Sequence, residues 1–407
     1  MTESKRKLIY FWSYLDWGGA QIYMIAIMKV AKPDWDILVV LPRASSPEIL
    51  RFLDQNGIAY DFIEHNLDMR PATTIGRKIA RQVNRIATER ETLSYLKRFD
   101  LSKGILHIEA APWQSWIMLT LLRLRNANVF VTLHNAMPGG SWWRKLIWKI
   151  RMQFVSRLKG FHIFSSNQDT KDKFRGYFEE GFWEKIKVTY TCVNPIEIES
   201  ALASAGDRTV QRRNFGLAGE GFIVLCVAQF VDRKGRWTFL EAAKIVAETH
   251  SDVDFVWVTP KPATDDEQAR IDGFGLGERF KLVMSESVGQ NRVEILRFFR
   301  IGDVFAHPSV VDGLPIAILE GMAMGLPTIA TNVFAIPEAV KHEDTGLLIE
   351  CGNAHELANA IVELKTNTQL REQLAAKGQK FVLENFDERV AAGIAISAYK
   401  ECFADGG

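Results

Sequence analysis

The sequence predicts an α/β protein built from two Rossmann-like domains facing each other across a cleft. Three observations predict it. Short apolar, β-branched runs alternate with helical patterns along the chain, as in a parallel sheet covered by helices. The alternation occurs twice, with the polar stretch "SAGDRTVQRRNFGLAGEG" separating the two series. The length of 407 residues also exceeds what one hydrophobic core ordinarily organises.

In the first half, "LIYFW" (8–12), "DILVVLP" (36–42), "IAYDFI" (58–63), "GILHI" (104–108), "VFVTLH" (129–134) and "FHIFSS" (161–166) read as strands. In the second, the strands are "FIVLCVA" (222–228), "VDFVWVT" (253–259), "FKLVM" (280–284), "DVFAHPS" (303–309) and "PTIAT" (327–331). The domains are expected at 1–195 and 196–386. Ligands of such sheets bind outside the carboxyl ends of the strands, so the loops after these runs are the candidate sites.

The most informative stretch is "DGLPIAILEGMAMGLPTIATNVFAIPEAV" (312–340). Gly313 and Pro315 break the chain, a mostly apolar helix follows from Ile316 to Met324, and Gly325 and Pro327 stop it. A helix N-terminus offers backbone N–H groups to an anion. Asp312 stands just before that terminus, and Glu320 lies about two turns further on. The arrangement suits a ligand that joins a phosphate to a polyol.

Composition narrows the alternatives. A hydrophobic content of 47% with 24% charged residues is that of a soluble globular protein. No apolar run reaches 18 residues, so no transmembrane helix is expected. "LIYFWSYL" is short and followed by Asp16, which reads as a first strand and not a signal peptide. The four cysteines contain no C-x-x-C pair, which speaks against a zinc site or disulfide framework and for a reducing cytoplasm. Neither G-x-G-x-x-G after a strand nor G-x-x-x-x-G-K-[ST] occurs, so dinucleotide and P-loop chemistry lack support. "DVD" (252–254) imitates a metal-binding D-x-D but sits at a strand start, the end away from ligands. "TDDEQ" (264–268) is a solvated helix start with acids favoured by the dipole.

The near-neutral net charge of +1 conceals a division. Residues 1–195 carry 29 Lys and Arg against 18 Asp and Glu; residues 196–407 carry 21 against 31. The first half is therefore expected to face something anionic, a membrane surface or an anionic acceptor. Mutual attraction of the two halves accounts for the same division. No nucleic-acid partner is expected.

Taken in order, "WGGAQ" (17–21), "LHIEAAP" (106–112), "VTLHNAMPG" (131–139), "VAQFVDRKG" (227–235), "HPSVVDGLPIAILEGMAMGLPTIAT" (307–331) and "TGLLIECGNAHELANAI" (345–361) resemble the motifs of a retaining glycosyltransferase of the GT-B fold, family 4, also called glycosyl transferases group 1. The block with two acids eight apart is the specific signal among them. "FDERVAAGIAISAYKECF" (386–403) resembles that family's final helix, which implies that 387–407 crosses back to the N-terminal domain.

The resemblance implies a hexose-like sugar moved, with retention, from a nucleoside diphosphate to a hydroxyl of a glycan or lipid-linked acceptor. The nucleotide sugar is a co-substrate, and neither cofactor nor metal is implied. Gly18 and Gly19 let backbone N–H groups approach the substrate closely. Lys234 is a point charge for the diphosphate. Glu320 accepts the ribose hydroxyls. Asp312, with the backbone N–H groups of Gly313, Leu314 and Ile316 around it and Pro315 shaping the turn between them, addresses the sugar and phosphate. His134 bonds a sugar hydroxyl near the reacting carbon, so His134 and Asp312 are the candidate catalytic residues. His107 supports the loops, and His307 is a candidate cleft residue.

The chain departs from the family pattern in four places. Asp312 replaces the usual Glu. Gln229 replaces a usual Arg, a charge Arg233 can replace. Phe334-Ala335 replace Gly-Gly, and "TPKP" (259–262) replaces a glycine-rich turn. The implied chemistry is same-face displacement, with the leaving diphosphate helping to deprotonate the acceptor and the protein supplying position and charge. No covalent nucleophile stands out. Two alternatives remain at this level: a non-catalytic scaffold of the same fold partnering an active transferase, and a sugar-nucleotide epimerase. The expected pathway is surface polysaccharide or lipid-linked glycan synthesis, in the cytoplasm or on the inner leaflet of the plasma membrane.

"SWWRKLIWKIRMQFVSRLKG" (141–160) carries two apolar sets at 100° per residue. Trp143, Ile147, Ile150, Phe154 and Leu158 form a stripe expected to pack on the sheet. Trp148, Met152 and Val155 lie among Arg144, Lys145, Lys149, Arg151 and Lys159; this is either an ordinary surface helix with Trp148 covered by a neighbouring loop, or a surface suited to an anionic membrane interface.

Overall fold

In the computed structural model the chain forms two compact units, Met1–Tyr190 with Arg389–Gly407, and Thr191–Glu388. The structure describes residues 5–404 apart from Tyr14, Asp16, 65–73, Ala136, Pro138, Ala205 and Ala218. Two positions of the 131–139 motif and two of the polar separator therefore lie outside the described residues. Each unit is an α/β layer structure on one parallel sheet, as the alternation of the sequence predicts.

The sheet of the first unit contains β1 (Arg6–Phe11), β2 (Trp35–Pro42), β3 (Ala59–Ile63), β4 (Ile105–Ile108), β5 (Asn128–Leu133), β6 (Phe161–Ser165) and β7 (Lys187–Val188). Their order is β3-β2-β1-β4-β5-β6-β7. The register runs in phase, Ile9 beside Leu38 on one side and Leu106 on the other. Each of the six strands read from the sequence is present to within two residues; the two-residue β7 is too short to give a periodic signal. Four helices concern the function: α1 (Gly19–Ala31), α2 (Ile75–Tyr95), α3 (Pro112–Arg123) and α4 (Trp142–Ser156). Residues Pro112 and Pro195 sit at the first turn of their helices, where a missing N–H costs nothing.

The C-terminal helix, Glu388–Glu401, brings Tyr399 into the core of the first unit, where it is fully buried. Its hydroxyl lies 3.1 Å from that of Tyr10 and 2.6 Å from His107 Nδ1, while His107 Nε2 lies 2.8 Å from Thr132 Oγ1. His107 is thus a core residue that joins β4, β5 and the last helix, where support of the loops was expected.

Burial pushes the His107 imidazole down to about 4. Above its ordinary value near 6.5 both folded and unfolded chains hold it neutral. Between about 6.5 and 4 only the unfolded chain takes up the proton, so stability falls as pH falls. The loss from this residue is expected to reach up to about 3 kcal/mol by pH 4. Melting the parent and His107→Asn across that range isolates it: the variant is less stable at neutral pH but shows the shallower acid slope. Parallel slopes would remove His107 as a source.

The second sheet contains β8 (Phe222–Val227), β9 (Val253–Thr259), β10 (Phe280–Met284), β11 (Val304–His307), β12 (Thr328–Thr331) and β13 (Leu347–Ile349), in the order β10-β9-β8-β11-β12-β13. The sequence reading missed β13, a three-residue edge strand. The helices used below are α5 (Pro195–Ala203), α6 (Arg236–Ala247), α7 (Arg292–Phe298) and α8 (Ile316–Ala323). Helix α8 occupies nearly the predicted span, and Gly325 adopts the left-handed φ of +80° expected of a residue that ends it.

One expectation is reversed. On α4, Trp148, Met152 and Val155 are the buried residues, with Trp148 only 6% exposed and packed 6.2 Å from Trp113. Trp143, Ile147, Ile150 and Phe154, expected against the sheet, are exposed, Ile150 by 58%. Helical period identifies two apolar faces here, but it does not say which one meets the sheet. The narrower face does, because α3 and α4 pack together and offer it Trp113.

Candidate functional site

In both units the strand order reverses direction at one point, between β1 and β4 and between β8 and β11. There the loops at the carboxyl ends diverge and leave a crevice. Most of the predicted residues lie on those loops or at the helix starts that follow them; His134 follows β5 instead, and Glu320 lies within α8.

In the second unit, the loop after β8 carries Gln229, Arg233 and Lys234, and the loop after β11 carries Asp312 to Pro315. Two backbone bonds join them: Val310 N and Val311 N both donate to the Arg233 carbonyl, at 2.9 and 3.2 Å. Gly235 makes the approach possible. Its φ is +74°, and a Cβ there would collide with the carbonyl oxygen of Pro308.

The consequence is a compact polar cluster. Lys234 Nζ donates to Asp312 Oδ2. The same oxygen accepts from Ser309 Oγ at 3.1 Å and lies 3.3 Å from His307 Nε2. Burial alone would raise the Asp312 carboxyl; Lys234, then His307, outweigh it and hold the group well below the usual carboxylate range. Burial pushes the His307 imidazole down, and its Nδ1 has no hydrogen-bond partner among the described residues. With Nε2–H donating to the carboxylate, Nδ1 is left as an acceptor. Gln229 Oε1 accepts from Arg233 Nη2 at 2.8 Å, so the guanidinium is held beside the Lys234 loop.

Glu320 lies on α8, 3% exposed. Its Oε1 accepts from Arg292 Nη2, and Arg292 Nε lies 3.8 Å from Glu197 Oε2 of α5. Burial opposes the Arg292 charge; Glu320, then Glu197, more than restore it and raise the group above its ordinary value. Burial pushes the Glu320 carboxyl up, and Arg292 draws it partly back. The sequence reading missed Arg292. It stands in a polar stretch, "GQNRVEI", without a motif to mark it. Gly313 to Ile316 lead into α8, with Leu314 and Pro315 buried and Gly313 and Ile316 partly open.

In the first unit, Gly18 caps α1 and Gly19 is its first residue. Gly18 is extended, φ −173°, so its place does not demand glycine by conformation. His134 follows β5 directly. Its Nε2 lies 3.4 Å from Glu109 Oε1, its carbonyl accepts from Asn167 Nδ2 at 3.3 Å, and the edge of Tyr23 meets its ring at 5.6 Å. The site residues thus fall to both units, Gly18, Gly19 and His134 to one, and Gln229 to Glu320 to the other, where Lys234 pairs with Asp312 and Glu320 with Arg292.

One of the departures acquires a structural form. Phe334, in place of a glycine, keeps a positive φ of +50°, so the backbone retains the glycine-like turn at a cost of about 1 kcal/mol. "DVD" stays outside the site: Asp252 precedes β9 and pairs with Lys365 at 2.9 Å.

Residues 207–381 match the model of the family Glycosyl transferases group 1. An uncharacterized glycosyltransferase of Methanocaldococcus jannaschii is 23% identical over 251 residues, 61% of this chain and 62% of that protein. The lipopolysaccharide core biosynthesis glycosyltransferase LpsD of Rhizobium meliloti is 28% identical over 198 residues, 48% of this chain and 53% of that protein. The matches therefore span about half to three-fifths of these relatives. HepE of Anabaena, solved with UDP and glucose, superposes with a TM-score of 0.73 at 19% identity, covering 97% of this chain and 99% of that one. The fold is that of the GT-B glycosyltransferases.

Proposed function

We propose that this chain is a retaining transferase of family 4 that moves a hexose-like sugar from a nucleoside diphosphate to an acceptor hydroxyl. The observation that carries the reading is the set of groups at the β8/β11 reversal, where a lysine, the half-buried Asp312, the buried Glu320 and the start of α8 stand on adjoining loops and one helix. Lys234 and the N–H groups at the start of α8 receive the diphosphate, and Glu320 receives the ribose. Arg292 holds one oxygen of Glu320 and so orients the other toward the hydroxyls. Asp312 competes with the phosphate for Lys234 until donor arrives, then serves the sugar. His134 contributes a hydrogen bond to the sugar near the reacting carbon. The charge of the departing diphosphate is met by Lys234, Arg233 and the helix dipole, so activity is expected to survive EDTA. The match to LpsD and the UDP in HepE support a nucleotide sugar and a surface-glycan or lipid-linked acceptor. Action at the cytoplasmic face of an anionic membrane belongs to the same proposal.

His134→Ala tests the role assigned to the first unit. It is expected to lower turnover by at least tenfold while leaving nucleotide affinity within about threefold, since its contact is to the sugar and not the nucleotide. Unchanged turnover would remove His134 from the site.

A second reading has one observation in its favour: Lys234 and Glu320 are already paired internally, with Asp312 and Arg292. A scaffold that no longer binds donor would keep these pairs permanently. It would show no thermal shift with any common nucleotide and no sugar-nucleotide hydrolysis.

A further inference from the structure

Of the twenty large apolar side chains exposed among the described residues, twelve lie on α2, α3 and α4, and a thirteenth, Leu124, follows the last residue of α3. These helices pack in sequence order on the first unit: Arg85 Nη1 of α2 donates to the Gln114 carbonyl at 2.7 Å, and Arg151 Nη1 of α4 to the Trp113 carbonyl at 3.2 Å. Helix α2 is the least covered. Every residue from Ile75 to Val83 is exposed, and Thr92 is the one buried residue of its 21. Ile75, Ile79, Val83 and Ile86 recur at intervals of four, four and three, one stripe along the helix, with Ile79 60% exposed. Ile117, Leu121 and Leu124 extend the apolar surface over the end of α3, and Trp142, Trp143, Leu146 and Ile150 continue it on α4. A patch of this kind marks an interaction site.

Charge indicates the occupant. Residues 75–86 contain four Lys or Arg and no acid, and residues 142–156 again four and none. A second copy would set these cations against its own. An anionic bilayer matches both features, apolar side chains entering the acyl boundary and Lys and Arg on the headgroups.

We propose that α2 lies in the plane of an anionic lipid surface, with the exposed faces of α3 and α4 beside it. The docking element is thus the Ile75–Ile86 stripe together with the Trp142–Ile150 face, not the Trp148 face, which the structure buries. The inference rests on the proposed lipid-linked acceptor for its purpose, but vesicle binding is measured without donor or acceptor.

The test is co-sedimentation of the full chain with phosphatidylcholine vesicles, with and without phosphatidylglycerol. Binding is expected only with phosphatidylglycerol and is expected to weaken as salt rises. Arg77→Gln/Lys78→Gln/Arg81→Gln should weaken it on the order of a hundredfold. Ile79→Asp/Val83→Asp should lose at least tenfold, and both variants should melt as the parent does, because these side chains are exposed. Parent-like vesicle binding by both variants overturns the proposal. So does an absence of binding at low salt, and so does a parent dimer that Ile79→Asp/Val83→Asp converts to monomer, which would assign the face to a second copy. Nucleotide thermal shift on the same samples separates the two claims: its loss in the parent defeats the transferase reading, while its retention without vesicle binding defeats the docking surface alone.

Discussion

Gly235→Ala is expected to lower the stability of the second unit by on the order of 3 kcal/mol. At the size of this unit that is a fall in Tm of about 10 °C. Two costs add: alanine at φ +74° is strained, and its Cβ meets the Pro308 carbonyl oxygen. The loop after β8 and the loop after β11 must then separate, which breaks the bonds from Val310 N and Val311 N to Arg233 and parts Lys234 from Asp312. Nucleotide affinity is expected to fall with stability, since the two loops are the diphosphate site. Thermal melts with and without nucleotide check both. Gly352→Ala, also at positive φ but with open space around its Cβ, should cost only the conformational part. Equal losses in the two variants would show that the approach to Pro308 matters little.

Glu320→Ala is expected to be the most damaging change to donor binding and also a severe one for stability. Truncation leaves the Arg292 guanidinium buried without its partner, which typically costs 3–5 kcal/mol; Glu197 at 3.8 Å moderates it. Arg292→Met/Glu320→Leu removes both charges and is expected to recover most of that loss. It should not recover nucleotide binding. If the double variant binds nucleotide as the parent does, Glu320 is a structural ion-pair member and nothing more.

These two residues also show what the sequence could and could not reveal. The spacing of Asp312, Gly313, Pro315 and Glu320 announced a loop and a helix N-terminus, and the structure has them there. That Lys234 meets Asp312 follows from neighbouring parallel strands and was implicit in the order of the motifs. Arg292 was not legible, because its importance comes from α7 and α5 packing beside α8, a tertiary fact with no local periodicity. Gly235 was legible as a glycine but not as an irreplaceable one, since the obstacle is a carbonyl 73 positions away. The inverted face of α4 has the same origin: two apolar stripes were visible, and only the neighbouring Trp113 decides between them. On α2 the signal was present in full, an isoleucine and valine stripe amid arginines, and exposure gives it a different meaning from an ordinary core-facing helix.

The most direct measurement of the central claim is calorimetric titration of UDP, GDP and ADP into the parent and Glu320→Gln, alongside the 2′,3′-dideoxy counterpart of whichever binds. One ribonucleotide is expected to bind the parent roughly 10- to 100-fold more tightly than its dideoxy form, the worth of hydrogen bonds to a charged acceptor, and Glu320→Gln is expected to lose most of that preference while remaining folded. Equal affinity for the two forms in the parent, or no binding of any nucleotide, would contradict it.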